Sequence, residues 1–427
     1  MSKVTDKNDS EAMKLAKEKQ RAKLNTMYMH LLLNQIALMT PYTQRTNMLF
    51  RLPQFNGDPA QVAKFGATLS AFNAGSVILL QSIAGKASDA FGRKMFLAMG
   101  PVVNIMLKTL VFMSPTISNI VLERIVGASL STVSGTMISV AAISDLFPGD
   151  SQGFAEALSY IGALVGFGIL AGPVLGRFAE RIFGQGLKSA FLLSAIVSAL
   201  QLGNVMKLNE TLKEDERKSF KLSDCNPFSF LRLFKEDFQL IKLSFLSGMF
   251  HNCSEGKNLA DLHQSYGKKD VGLQDDIRWV MTSFVGLWVF ISGFVSRRLM
   301  KVLGGRSFTT MASAFRVVGM TWYANIPWRV KQLWTMNVGS FLGSFGWQSG
   351  KYPQAVTINY AVKNCGWGRG EITAAINQLR EIMAIIGPLI YARIYAAGSG
   401  SWPGAHYQFV GLLCFLTEVF GRYTIKK

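Results

Sequence analysis

Runs of about 20 mostly apolar residues, the length a helix needs to cross the hydrocarbon core of a bilayer, recur along almost the whole chain. They fall at residues 24–42, 66–84, 95–113, 118–143, 153–176 and 189–206, and again at 238–256, 278–296, 308–326, 333–350, 371–396 and 407–422. Twelve such spans predict an all-α integral membrane protein, because a helix in lipid satisfies its own backbone hydrogen bonds. The domain organisation expected from them is a polar tail (1–23), a six-helix bundle (24–206), a charged linker (207–237), a second six-helix bundle (238–422) and a short terminus (423–427).

Charge gathers in two blocks, 1–23 and 207–242, so a mean hydropathy of +0.23 understates how apolar the rest is. Only 17% of the residues are charged, against about 25% in soluble domains. This argues against a soluble enzyme, and 30 Phe with 40 Gly rule out disorder and suit helices packed closely in lipid. Cys225, Cys253, Cys365 and Cys414 stand far apart, with no CxxC pair and no clustered His. Neither a disulfide framework nor a zinc site follows, and no cofactor or metal is expected.

Well over half of the 45 Lys and Arg fall in the tail, the 85–94 turn, 207–242, 297–306, 351–370 and the C-terminus. The positive-inside rule then puts both termini in the cytoplasm. The net charge of +19 reads as orientation and attraction to anionic lipid, not as a nucleic-acid footprint. The polar, Lys-rich first 23 residues lack a cleavable signal pattern, so the first span is expected to serve as the insertion signal.

Three features recur at half the chain length. Gly172-Pro173 and Gly387-Pro388 lie 215 residues apart, as do Gly153 and Gly368, and the 89–94 turn is echoed at 301–306. Two six-helix halves related by duplication follow. GKASDAFGRK (85–94) matches the signature between the second and third helices of the major facilitator superfamily. RIVGASLSTVSGTMISVAAISDLF (124–147) and GFAEALSYIGALVGFGILAGPVLG (153–176) resemble the fourth and fifth helices of its tetracycline-efflux drug:proton antiporters. The chain departs from that pattern at Ala90, where the family usually has Arg, and in a first span without a carboxylate.

The turn at 85–94 has its own logic. Its few residues must reverse the chain; Gly85 permits a close helix crossing, Asp89 suits the positive N-terminus of another helix, and Gly92 belongs to the matching signature. The resemblance implies that this helix is the eleventh, with the cap near Gly370. Arg93 needs a carboxylate, and Asp145, at the end of the fourth span, is nearest by topology. Gly85, Asp89, Gly92, Arg93 and Asp145 are therefore candidate gate residues; the plain alternative is a cluster that only sets orientation. Gly172, Pro173, Gly387 and Pro388 are candidate hinge or packing positions.

The resemblance further implies that spans one, four, seven and ten line a central substrate cavity. The polar candidates are Asn34 and Gln35, Arg124 and Ser131, Asn252 and Glu255, and Asn337, Ser344 and Gln348. At 100° per residue, Ala128, Ser131, Gly135 and Ala142 share a face with Arg124. Glu255 is the candidate proton-coupling carboxylate if the seventh helix continues past Phe250. In the eleventh span Arg380 and Glu381 diverge by about 100° and need separate partners, and Arg316 is offered to Glu381. An Arg beside no cavity acid favours an anionic substrate. The function expected is alternating-access transport of a small organic solute. The alternative is a transporter-derived, non-transporting subunit with protein partners in a larger membrane assembly, suggested by the carboxylate-free first span and the polar break in the seventh.

Overall fold

The computed structural model describes residues 2–55, 59–221, 226, 228–254, 259–273, 275–398 and 400–425. Among them there is no strand, and the long helices follow one another in the order of the spans. In the first half these are α1 (Ser2–Met39), α2 (Pro59–Phe91), α3 (Arg93–Met113), α4 (Ile117–Ser144), α5 (Ser151–Phe183) and α6 (Ser189–Met206). In the second they are α7 (Phe238–Ser254), α8 (Asp275–Leu303), α9 (Gly305–Asn325), α10, α11 (Arg369–Gly398) and α12 (Ala405–Thr424). α10 comes in two pieces, Leu333–Gly346 and Lys351–Asn364, separated by turns at residues 347–350.

Local chemistry sets several boundaries. Thr116 caps α4 and Asp150 caps α5, the Asp150 carboxylate accepting from Gly153 N at 2.8 Å. α5 stops at Gly184, which takes the left-handed conformation (φ 63°) that glycine adopts without strain. The sharp turns between α2 and α3 and between α8 and α9 each hinge on a positive-φ glycine, Gly92 (95°) and Gly304 (77°), so the sequence repeat is also a backbone repeat.

By length and composition alone, α3, Ile117–Ser144, α5, Gly186–Met206, Ser283–Leu303 and α11 are apolar enough to cross a membrane. Of the other six, α7 and the two pieces of α10 are shorter than 18 residues, and several of the rest carry polar groups that the fold pairs internally. Glu418 of α12, for example, receives Arg306 at 2.7 Å and the Thr310 hydroxyl at 2.7 Å. The tail is not a separate segment, since α1 runs without a break from Ser2 to Met39. It leads directly into a buried stretch that includes Met27, Leu31 and Asn34.

The two halves meet along α2, α4 and α5 on one side and α8, α10 and α11 on the other. This seam starts at the face that carries both chain termini, the terminal face. Along α5 it runs from Ser151, whose hydroxyl accepts from Asn359 Nδ2 at 2.9 Å, to Leu170, against Gly286. That is about 28 Å of helix.

Candidate functional site

At the terminal face Arg93, the first residue of α3, is 0% exposed and surrounded by acceptors. Its guanidinium lies 2.7 Å from Asp89 Oδ1 and 3.1 Å from Asp145 Oδ2, and donates to the Ser88 hydroxyl at 2.7 Å. Asp89 uses both oxygens on α11, accepting from Gly370 N and Glu371 N at 2.9 Å each. These are the first free N–H groups of that helix, so the carboxylate meets both orphan donors and the positive helix end. The approach is possible because Gly85 and Gly370 face one another: a Cβ on Gly85 would fall 2.8 Å from Gly370 O. Gly85, Asp89, Gly92, Arg93 and Asp145 thus form one constellation. Arg93, Asp89 and Asp145 all belong to the first half, however, and what crosses the seam is the Asp89 cap. Arg369 of α11 adds a second crossing by donating to Ser144 O, with its Nε 4.0 Å from Asp145 Oδ1.

One member of this cluster is missing from the sequence reading. Glu210, beyond α6, accepts from the backbone N–H groups of Arg93 (2.9 Å), Lys94 (3.2 Å), Thr211 (2.9 Å) and Leu212 (3.1 Å). It therefore caps α3. Burial alone would push its pKa up, but these four donors outweigh burial and hold the carboxyl below its usual range. The signal available was its position, the first acid past the sixth span.

Deeper in the seam, glycines of α5 let backbones touch. A Cβ on Gly166 would lie 2.4 Å from Phe290 N, and one on Gly162 would lie 2.4 Å from Gln348 Nε2. Gln348 sits in the break of α10, is 1% exposed, and its Oε1 lacks a protein hydrogen-bond partner among the described residues. Gln378 of α11 donates to Ile78 O of α2 at 2.7 Å. Of the cavity candidates among the described residues, Gln348 meets the opposite half directly.

The other cavity candidates lie elsewhere. Asn34 turns into the first half, accepting from Gln201 at 3.4 Å and lying against Gly135, while Gln35 packs on Gly168. Ser131 faces α3, where Asn104 donates to it at 2.5 Å. The reason is local: α4 contains π-helical turns at Glu123–Gly127 and Val133–Ile138, so the 100° face drawn through Arg124 does not hold. Glu123 pairs with Arg45 (2.9 Å), an arginine the sequence reading passed over, and Arg124 lies within their field. Asn337 accepts from Trp288 at 2.7 Å and the Ser344 carbonyl from Ser292 at 3.2 Å, both inside the second half. Arg316 donates to Gly343 O at 3.4 Å, and Arg380 to Asn377 at 3.0 Å. Asn252 falls within α7, and Glu255 lies outside the described residues. Gly172 and Pro173 are interior to α5, with Gly172 pressed on Met39 of α1 and not on the other half; Gly387 and Pro388 are interior to α11.

A family model described as Major Facilitator Superfamily matches residues 35–388. Among curated proteins, the class E tetracycline resistance protein of Escherichia coli is 24% identical over 81% of this chain and 82% of its own length. The class G protein of Vibrio anguillarum is 26% identical over 80% and 82%. In solved structures the fold resembles the human organic anion transporter MFSD10 (TETRAN) with a TM-score of 0.76 at 15% identity, covering 94% of this chain and 99% of that one. It also resembles the proton:xylose symporter XylE bound to 6-bromo-6-deoxy-D-glucose, with a TM-score of 0.73 at 15% identity over 95% of each chain. The non-transporting alternative draws no support from these comparisons.

Proposed function

The chain belongs to the Major Facilitator Superfamily and is a secondary transporter, and from that premise we propose that it moves a small organic anion by rocking its two halves about the α10 break. The observation that carries this reading is the Asp89 cap on α11, a charged contact between the halves at one face of the molecule. With the terminal face assigned to the cytoplasm by its Lys and Arg, this arrangement is the outward-facing state, sealed below by the cap and by the α5–α8 glycine contacts. Rocking breaks the cap and opens a path from the midplane to the cytoplasm.

An anionic substrate is supported by Arg316 and Arg380, cations at membrane depth in the half that also carries the α10 break, and by the printed function of the human structural relative. Gln348, at the break and against Gly162, is the residue assigned to substrate contact. Glu255 is assigned to proton coupling, so Glu255→Gln abolishes pH-driven uptake while sparing exchange. The test is substrate-dependent thermal stabilisation of the purified protein across a panel of organic anions and neutral sugars. At least one anion should raise the midpoint in wild type and fail to do so in Gln348→Leu. Stabilisation by neutral solutes alone, or equal stabilisation of the variant, overturns the assignment.

A further inference from the structure

A cleft of about 240 Å³ opens at the terminal face, away from the Asp89 constellation, where α1, α5 and α8 converge. Arg21, Arg297 and Lys301 line it, together with Glu156, Tyr28 and Leu24. Three cations stand against one carboxylate, and that carboxylate lies 3.7 Å from Lys301 Nζ. The cleft keeps a positive excess where both walls can enclose an anion.

Its floor is aromatic. Tyr28 packs on Tyr160 with ring centroids 4.6 Å apart, the Arg297 guanidinium lies 5.7 Å from the Tyr160 centroid, and Phe294 meets the same ring edge-on at 5.1 Å. Phe294 lies about one turn deeper along α8 than Arg297, and it is 42% exposed. The cationic cleft therefore continues into apolar surface at membrane depth. A cationic mouth above an exposed apolar wall is what an amphiphile needs, phosphate at the mouth and chains along the wall.

We propose that this cleft binds the phosphate group of an anionic phospholipid from the leaflet at the terminal face. The shared chemistry is a phosphate ester, and the apolar continuation through Phe294 selects the lipid over a soluble phosphate. Because α1 and α5 belong to one half and α8 to the other, the bound lipid bridges the seam and favours the state in which the terminal face is closed.

The experiment uses the full chain in nanodiscs of phosphatidylcholine with phosphatidylglycerol, released for native mass spectrometry. Wild type retains phosphatidylglycerol in preference to phosphatidylcholine, and the double variant Arg297→Gln, Lys301→Gln lowers that retention roughly thirtyfold, several-fold for each cation removed. Arg298→Gln, exposed and outside the cleft, leaves it unchanged. If the double variant fails to fold, Glu156→Gln serves in its place and raises retention by removing the competing charge. A second arm adds inorganic phosphate or glycerol 3-phosphate to the detergent-solubilised protein, and neither reproduces the thermal stabilisation given by phosphatidylglycerol. Equal retention by wild type and double variant, a fall with Glu156→Gln, or full stabilisation by the soluble phosphates overturns the lipid assignment.

Discussion

Asp89→Ala removes the carboxylate cap between α2 and α11, leaving the Gln378 bond to Ile78 O and its own half nearly intact. Arg93 keeps Asp145 at 3.1 Å and Ser88 at 2.7 Å, so no buried cation is stranded. What is lost are two bonds of 2.9 Å from the first turn of α11 to a carboxylate. Bonds to a charged group are worth about 1.5–3 kcal/mol each, a gross contribution of roughly 3–6 kcal/mol. With the terminal face open, the freed N–H groups of α11 meet water, which returns part of that, leaving a differential of about 2–4 kcal/mol. At about 1.4 kcal/mol per tenfold, the equilibrium shifts toward the state open at the terminal face by roughly thirtyfold to a thousandfold. Spin labels at Met95 on α3 and Val302 on α8, both exposed, in a background without the four native cysteines, report this as a longer-distance population. Asp89→Asn should fall between, since an amide can accept one of the two N–H groups but presents a donor to the other. Wild-type distance distributions in both variants would refute the reasoning, because closure would then rest on something other than the cap.

Arg93→Ala takes the nearest cation from the buried carboxylate of Asp145, while Asp89 keeps its two bonds to α11, so it is expected to cost about 3–5 kcal/mol of stability, seen as a lower unfolding midpoint. The swap Arg93→Asp with Asp145→Arg should recover part of it. Gly166→Leu places a side chain into the Phe290 backbone, so the seam cannot close, and the same spin labels should show a protein open at the terminal face, with transport abolished. Glu210, with its carboxyl held below the usual range, stabilises the fold wherever it is ionised. The midpoint difference between wild type and Glu210→Gln should therefore be full at pH 7 and shrink as the pH falls below about 4.5, the range in which an unperturbed glutamate protonates. A difference that grows on acidification would contradict the cap.

The contacts of Arg93 with Asp145 and of Asp89 with α11 were legible because a ten-residue turn fixes where its charges can reach, and three charges at span ends have few partners. The helix count was legible for a similar reason, since span length is set by the bilayer. The packing partners of the cavity candidates were less legible. Ser131 was projected from Arg124 along an ideal helix, and the π turn at Glu123–Gly127 breaks the periodicity on which that projection depends, as the turn at Val133–Ile138 does for Ala142. No local pattern in the sequence announces them. Arg45 sits in the short helix Tyr42–Arg51 after the first span and finds Glu123 only through tertiary packing. Asn34 looked like a cavity residue because it is polar within an apolar span, yet Gln201, 167 residues away, is its partner. Polar residues announce that they need company and do not say on which side it stands.

The glycines of α5 serve two surfaces. Gly168 and Gly172 press against Gln35 and Met39 of α1 and Gly176 against Thr40 just beyond it, whereas Gly162 and Gly166 lie on the second half. One flank is a weld and the other a bearing. Random mutagenesis of this single helix should accordingly sort into two phenotypes, one at 162 and 166 and the other at 168, 172 and 176. Substitutions on the weld deplete the protein from the membrane, and those on the bearing leave its abundance untouched while stopping the machine.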